Sequence, residues 1–294
     1  MQCAPRNTRI QRVVFVLAVV AGGFQDAFCA DREAQPTNDT KPLWEVGIGA
    51  FAGRLPDYPA AGQSTYRALA VPYVVYRGDF WRVGGEENRG AVSGRFVKNE
   101  KFEFDITLSA AFPVDSADNN ARRDMPDLDF LFGIGPQLIF KLINEPGRRK
   151  LDLNLQARAV YATDFSSLSH QGYVFNPKLS YTREHVSALD LNVFTSVGPV
   201  FATEDLMDYF YEVKPEFATP RRPAFDADAG YLGSDITLGI SKRFNNRFRA
   251  VLGGRLGIYN GATNRDSPLF KDDLTLGVFA AFIWAFAQSE RPAR

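Results

Sequence analysis

From Phe102 to Phe112 every second position is apolar: Phe102, Phe104, Ile106, Leu108, Ala110 and Phe112. The positions between them are small or polar, namely Glu103, Asp105, Thr107 and Ser109. A period of two places one set on each face of a strand. The same alternation recurs in other segments, giving one greasy face through Trp44, Val46, Ile48; Leu151, Leu153, Leu155; Leu189, Leu191, Val193; Ile236, Leu238, Ile240; and Phe282, Trp284, Phe286. The opposite face carries Glu45; Asp152, Asn154, Gln156, Arg158; Asp190, Asn192; and Asp235, Thr237, Ser241.

Strands are predicted near 44–52, 66–77, 79–87, 90–98, 101–112, 129–143, 151–161, 172–183, 187–200, 232–243, 247–259 and 272–286. Their connectors alternate in length. Short turns fall at Arg77-Gly78-Asp79, Lys98-Asn99-Glu100, Asn144 to Lys150, Arg183 to Val186 and Asn245-Asn246. Long links fall at 53–65, 113–128, 162–171, 201–231 and 260–271, with a tight one near Glu87–Arg89. This predicts an all-β, antiparallel transmembrane β-barrel of twelve strands, with ten the next count. Lipid lies outside such a wall, and the short turns face the periplasm. A soluble barrel would bury the apolar face instead, but twelve strands are many for a soluble up-and-down barrel. The last strand, Thr275-Leu276-Gly277 to Phe286, also resembles the closing strand that outer-membrane assembly machinery recognises, although Ala287 to Arg294 follow it.

Residues 1–29 read as a secretory signal: Arg6, Arg9 and Arg12, then an apolar run from Val13 to Phe24, then Ala27 and Cys29 as small residues at a cleavage site. That run is shorter than the roughly 18 residues a spanning helix needs. A periplasmic N-terminal segment at 30–43, a barrel at 44–286 and a periplasmic tail at 287–294 complete the expected organisation. Removing the signal takes 34 basic and 34 acidic side chains to 31 and 33, a net charge of about −2. That near-neutral balance gives no argument for nucleic acid. Both cysteines lie within the signal, which leaves no disulfide framework in the mature chain. Twenty-four glycines and 25 phenylalanines against three methionines suit strands and aromatic girdles.

No catalytic constellation stands out, and no cofactor is implied. His170 follows Ser166 and Ser167, with Asp164 nearby, so an outer-membrane lipid hydrolase is the enzymatic alternative; no esterase motif surrounds these residues. His185 belongs to an expected turn. Asp115, Asp118, Asp124, Asp127 and Asp129 form an acidic loop, without the spacing of a calcium loop and with Arg122 and Arg123 beside them. The alternation sends Glu45, Glu103, Asp105, Asp152, Arg158, Lys178, Asp190, Asp235, Arg249 and Arg255 into the lumen. Mixed signs favour a narrow or filled interior over a wide porin. Arg148, Arg149 and Lys150 end the longest short turn and are the candidate surface for a protein partner.

Several loop motifs resemble the MipA/OmpV family of MltA-interacting outer-membrane proteins. They are Pro56-Asp57-Tyr58-Pro59; Pro113-Val114-Asp115-Ser116; Ala121-Arg122-Arg123-Asp124-Met125-Pro126-Asp127-Leu128 with Gly135-Pro136; Tyr209-Phe210-Tyr211-Glu212-Val213; Arg222-Pro223-Ala224-Phe225-Asp226-Ala227; and Asp266-Ser267-Pro268-Leu269. They run in order from about 44 to 286. Glu212 and Phe225 depart from the family pattern, which often has glycine and tyrosine there. The resemblance implies a non-enzymatic barrel in the Gram-negative outer membrane, acting as a scaffold for murein hydrolase and synthase; contact with lipopolysaccharide is expected of any barrel placed there. Other members resemble adhesins or small-solute channels, so a narrow channel or an adhesin is the alternative.

Overall fold

The computed structural model describes residues 42–77, 82–83, 97–98 and 101–291. The expected signal, most of the strands near 79–87 and 90–98, and the turns at Gly78 and Asn99 lie outside these residues. The strands are β1 (Trp44–Pro56), β2 (Ser64–Arg77), β3 (Arg82–Val83), β4 (Val97–Lys98), β5 (Phe102–Ala111), β6 (Phe130–Glu145), β7 (Arg149–Thr163), β8 (Leu168–Val186), β9 (Leu191–Ala202), β10 (Gly230–Asn245), β11 (Phe248–Ile258) and β12 (Leu274–Gln288). All twelve belong to one antiparallel sheet in the order β3-β2-β1-β12-β11-β10-β9-β8-β7-β6-β5-β4. Every neighbouring pair in this order is consecutive in sequence except β1 with β12, the pairing an up-and-down barrel requires, and β3 and β4 end the described sheet.

The side-chain period sets which face is wet. On β7, Lys150, Asp152, Asn154 and Gln156 are buried inside, while Leu151, Leu153 and Leu155 point outward. Ile48, Ile134, Phe140, Leu179, Val197, Leu238, Leu252, Leu276 and Trp284 stand exposed on the exterior. An apolar belt of this extent around a sheet is a surface for lipid, since water would expel it. Among the described residues no helix is long and apolar enough to cross a membrane; the strands do so.

Three boundaries differ from the alternation-based expectation. The link at 162–171 shrinks to a tip at 164–167, because β7 and β8 continue further than their hydrophobic pattern. At its other end β8 runs through Arg183 to Val186, and the turn is Ser187–Asp190. His185, Ser187 and Asp190 all take positive φ there, at 53°, 69° and 54°, so the chain reverses without the glycine that would announce it. Leu189 and Asp190 therefore belong to the turn and not to the wall. Phe112 is the third difference: once β5 has ended, its ring swings inside and stacks on Phe51 at 5.8 Å between centroids.

Candidate functional site

Two regions of the interior carry the candidate chemistry: a lid at the long-loop end and a charged arc toward the short-turn end. The lid begins with α1 (Glu204–Tyr211), a helix inside a stretch that reads as loop in the sequence. Leu206, Met207, Phe210 and Tyr211 fall on one buried face, and Glu204 and Asp205 sit at the positive end of its dipole. That face packs with Tyr58 and Ala61 of the β1–β2 loop, Val114, Met125 and Leu128 of the β5–β6 loop, and Leu269 of the β11–β12 loop. Four long connectors thus fold inward into one apolar core and do not stand free in water.

Polar bonds between the loops fix this core. Tyr58 donates its hydroxyl to Leu269 O at 2.8 Å, and Tyr211 donates to Pro59 O at 3.0 Å. Ser267 Oγ donates to Tyr211 O at 2.8 Å. Arg122 is buried over the Tyr58 ring and donates to Phe210 O at 3.1 Å and Pro126 O at 3.3 Å. Arg222 reaches Ala121 O at 3.1 Å and Arg123 O at 2.8 Å. Burial raises the Tyr58 hydroxyl to about 12, with Arg122 opposing and Asp57 adding to the shift. Burial likewise pushes Tyr209 and Tyr211 up and Arg122 down.

Two of the five β5–β6 acids serve their own loop. Asp115 Oδ1 accepts from Ala117 N and Asp127 Oδ1 from Ser116 N, at 2.8 and 2.7 Å. Among the described residues no three histidine, cysteine or acidic side chains converge as a metal site. At the β7–β8 tip, the hydroxyls of Ser166 and Ser167 both donate to Asp164, and the backbone amides of the same two serines do so as well. Those bonds hold the Asp164 carboxyl well below the usual carboxylate range. His170 lies edge-on between Tyr161 and Tyr173, at 5.3 and 4.9 Å between ring centroids. The serines are thus bound to the carboxylate that a catalytic histidine would need for orientation, and the histidine is part of an aromatic row.

Below the lid, the inner surface is divided. Strands β5 to β8 contribute a polar arc. Glu103 pairs with Lys141 at 3.4 Å, and Lys150 pairs with Glu184, with all four side chains buried. Gln137 Nε2 donates to Asn154 Oδ1 at 3.1 Å, and Asn154 Nδ2 to Ser180 Oγ at 3.0 Å. Asp105, Asp152 and Lys178 are buried in the same arc, and Arg158 donates to Gln156 Oε1. The other arc is aromatic on glycine. Phe194 lies against Gly239, where a Cβ would stand 2.2 Å from Cζ, and Phe279 lies against Gly253 at 2.6 Å. Any side chain at either glycine would lift its ring off the wall. Phe51, Val251 and Ala281 complete this apolar cluster.

The expected lumen positions thus separate. Glu45, Glu103, Asp105 and Asp152 are buried on the inward face, Arg158 is half-buried, and Asp235 pairs with Arg255 across β10 and β11. Asp190 does not join them: it sits exposed in the β8–β9 turn against His185 Nδ1. The candidate partner turn separates as well. Lys150 is turned inside to Glu184, Arg149 is held bidentate by Glu145 at 3.0 and 2.8 Å, and Arg148 is 82 % exposed. Strict alternation carried back from Asp152 would have placed Lys150 inside, a signal the reading of the turn as a partner surface passed over. The interloop bonds of the lid had no comparable signal in the sequence.

The family model described as MltA-interacting protein MipA matches residues 48–286. No curated protein matches the chain. Among solved structures, an outer membrane channel from Pseudomonas putida F1 is 12 % identical, with 86 % of this chain and 100 % of that one covered and a TM-score of 0.45. The Pseudomonas putida toluene transporter TodX is 10 % identical, with 92 % and 78 % covered and a TM-score of 0.28.

Proposed function

Because the chain belongs to the MltA-interacting protein family, MipA, we propose that this outer-membrane β-barrel is a non-enzymatic anchor. It would hold a murein-acting enzyme at the periplasmic face of the membrane. The lid carries the reading: four loops interlocked through Tyr58, Arg122, Tyr211 and Leu269 cover the long-loop end. A mouth so covered suits a barrel that works from its other end, through short turns facing the periplasm. The β6–β7 turn is the surface we assign to the partner. Its active cation is Arg148, since Lys150 is held inside and Arg149 is paired with Glu145. An exposed guanidinium of this kind steers an acidic patch and acts mainly on association rate.

Capture of an MltA-type murein enzyme by the purified barrel at low salt tests this. Capture that weakens in Arg148→Glu, with heat-modifiable gel migration unchanged, is the expected result. Undiminished capture by the folded variant would remove the turn, and no capture by wild type would remove the anchor. The second reading, a narrow solute channel, draws on the polar arc from Glu103 to Glu184. A planar bilayer separates the two: the anchor stays silent, while stepwise conductance in wild type would favour the channel. A lipid hydrolase is disfavoured by the bonding of Ser166 and Ser167 to Asp164.

A further inference from the structure

Arg149 on β7 and Arg183 on β8 are directly opposite each other at the short-turn end. Their direction follows from parity. Lys150, Thr182 and Glu184 are the buried inward positions, so Arg149 and Arg183 point outward. The row extends to Glu145 on β6 and Val193 on β9. One step into the wall lie Ile143, Leu151, Tyr181 and Thr195, and one step further Phe140, Leu153, Leu179 and Val197. The charged row is thus the last one before the lipid-facing belt.

Like charges directly opposite on neighbouring strands repel. Glu145 answers only part of this charge. It accepts both bonds from Arg149 and lies 4.0 Å from Arg148, whereas Arg183 has no ion pair among the described residues. One carboxylate therefore serves two of the three guanidiniums and leaves Arg183 unanswered among the described residues, with Arg149 still 52 % exposed. Guanidinium forks match the geometry of phosphate oxygens. A tyrosine on the membrane side of the pair, Tyr181, stands where amphipathic rings meet headgroups. The leucines beyond it offer a surface to acyl chains.

We infer that Arg183 and Arg149, with Tyr181 beside them, bind the phosphodiester of an anionic phospholipid in the periplasmic leaflet. The inference rests on the outer-membrane reading but not on the anchor role. Arg148 projects from the turn to the enzyme, while the Arg149–Arg183 pair holds the membrane.

Native mass spectrometry of the folded barrel in neutral detergent, with phosphatidylglycerol or phosphatidylcholine added, reads the site. Wild type should retain phosphatidylglycerol in preference to phosphatidylcholine. Arg183→Gln should weaken that retention about five-fold, the effect of one basic residue at an anionic surface. Arg183→Lys, which keeps the charge but loses the fork, should fall between wild type and Arg183→Gln, and Arg247→Gln, an exposed arginine of the β10–β11 turn, should change nothing. Glu145→Gln should strengthen retention by freeing Arg149, the opposite sign from a packing defect. That variant keeps the proposal testable if Arg183→Gln does not fold. Equal retention by wild type and Arg183→Gln, an equal loss in Arg247→Gln, or weaker retention in Glu145→Gln would each overturn the site. Loss of enzyme capture in Arg183→Gln with lipid retention intact would give the row to the protein partner and overturn it too. A barrel that keeps the lipid yet captures no murein enzyme would support this site while sinking the anchor.

Discussion

Arg122 in the lid and Lys150 in the lumen are both buried cations, and they are satisfied in opposite ways. Arg122 donates to the carbonyls of Phe210 and Pro126, whereas Lys150 meets the Glu184 carboxylate. The difference lies in the backbone around each. In the wall, carbonyls are occupied by the strand ladder, so a buried charge needs a side chain of opposite sign. In the lid, irregular chain leaves carbonyls unclaimed, and a guanidinium with five donors can gather them from several loops. The wall therefore stores charge in pairs across adjacent strands, and the lid stores it in a cross-link between distant segments.

The sharpest way to break this contrast is Lys150→Met. It leaves Glu184 buried without its partner and should cost about 3–5 kcal/mol. The double variant Lys150→Met with Glu184→Leu should recover most of that loss, because it removes both charges. Midpoints of heat-modifiable migration would report both, and equal destabilisation of the single and double variants would remove the pair from the account. Arg122→Met comes next, with about 2 kcal/mol lost from charged hydrogen bonds. The loss should be local: protease added outside should cut at Arg123 or Arg221 while the barrel midpoint stays put.

Alkaline pH should separate the two regions without mutation. The folded pKa of Tyr58 is raised from 10.0 to about 12 by burial. Its contribution is therefore complete below pH 10 and lost as pH rises through about 12. Protease sensitivity of the lid should climb in that window before the barrel itself unfolds. Simultaneous loss of lid and barrel would show that they are one cooperative unit. Tyr58→Phe is the mildest change, about 1 kcal/mol for the bond to Leu269 O, and it should shrink the alkaline effect.

The wall was legible because its signal is local. Alternation through Glu103, Asp105, Asp152 and Asn154 assigns the inward face without knowledge of any neighbour, and the structure buries all four. The same rule failed at Asp190, where a turn built on His185 and Ser187 at positive φ carries no glycine or proline to mark it. The lid was hidden for a different reason. Its prolines, aspartates and arginines read as polar connector, and the partners that make it a core are far apart in the chain. Arg122 and Phe210 are separated by 88 positions, and no period links them.

The bond from Tyr58 to Leu269 spans 211 positions. Closing a contact over that distance costs chain entropy that only neighbouring contacts can repay. The first outer loop can settle only after the last one has arrived, so the lid cannot close before β11 is in place. A barrel still adding its earlier strands would keep an open mouth, and closure of the lid would mark one in which β11 has been laid down. The lid would thus report a nearly finished wall as well as covering the lumen.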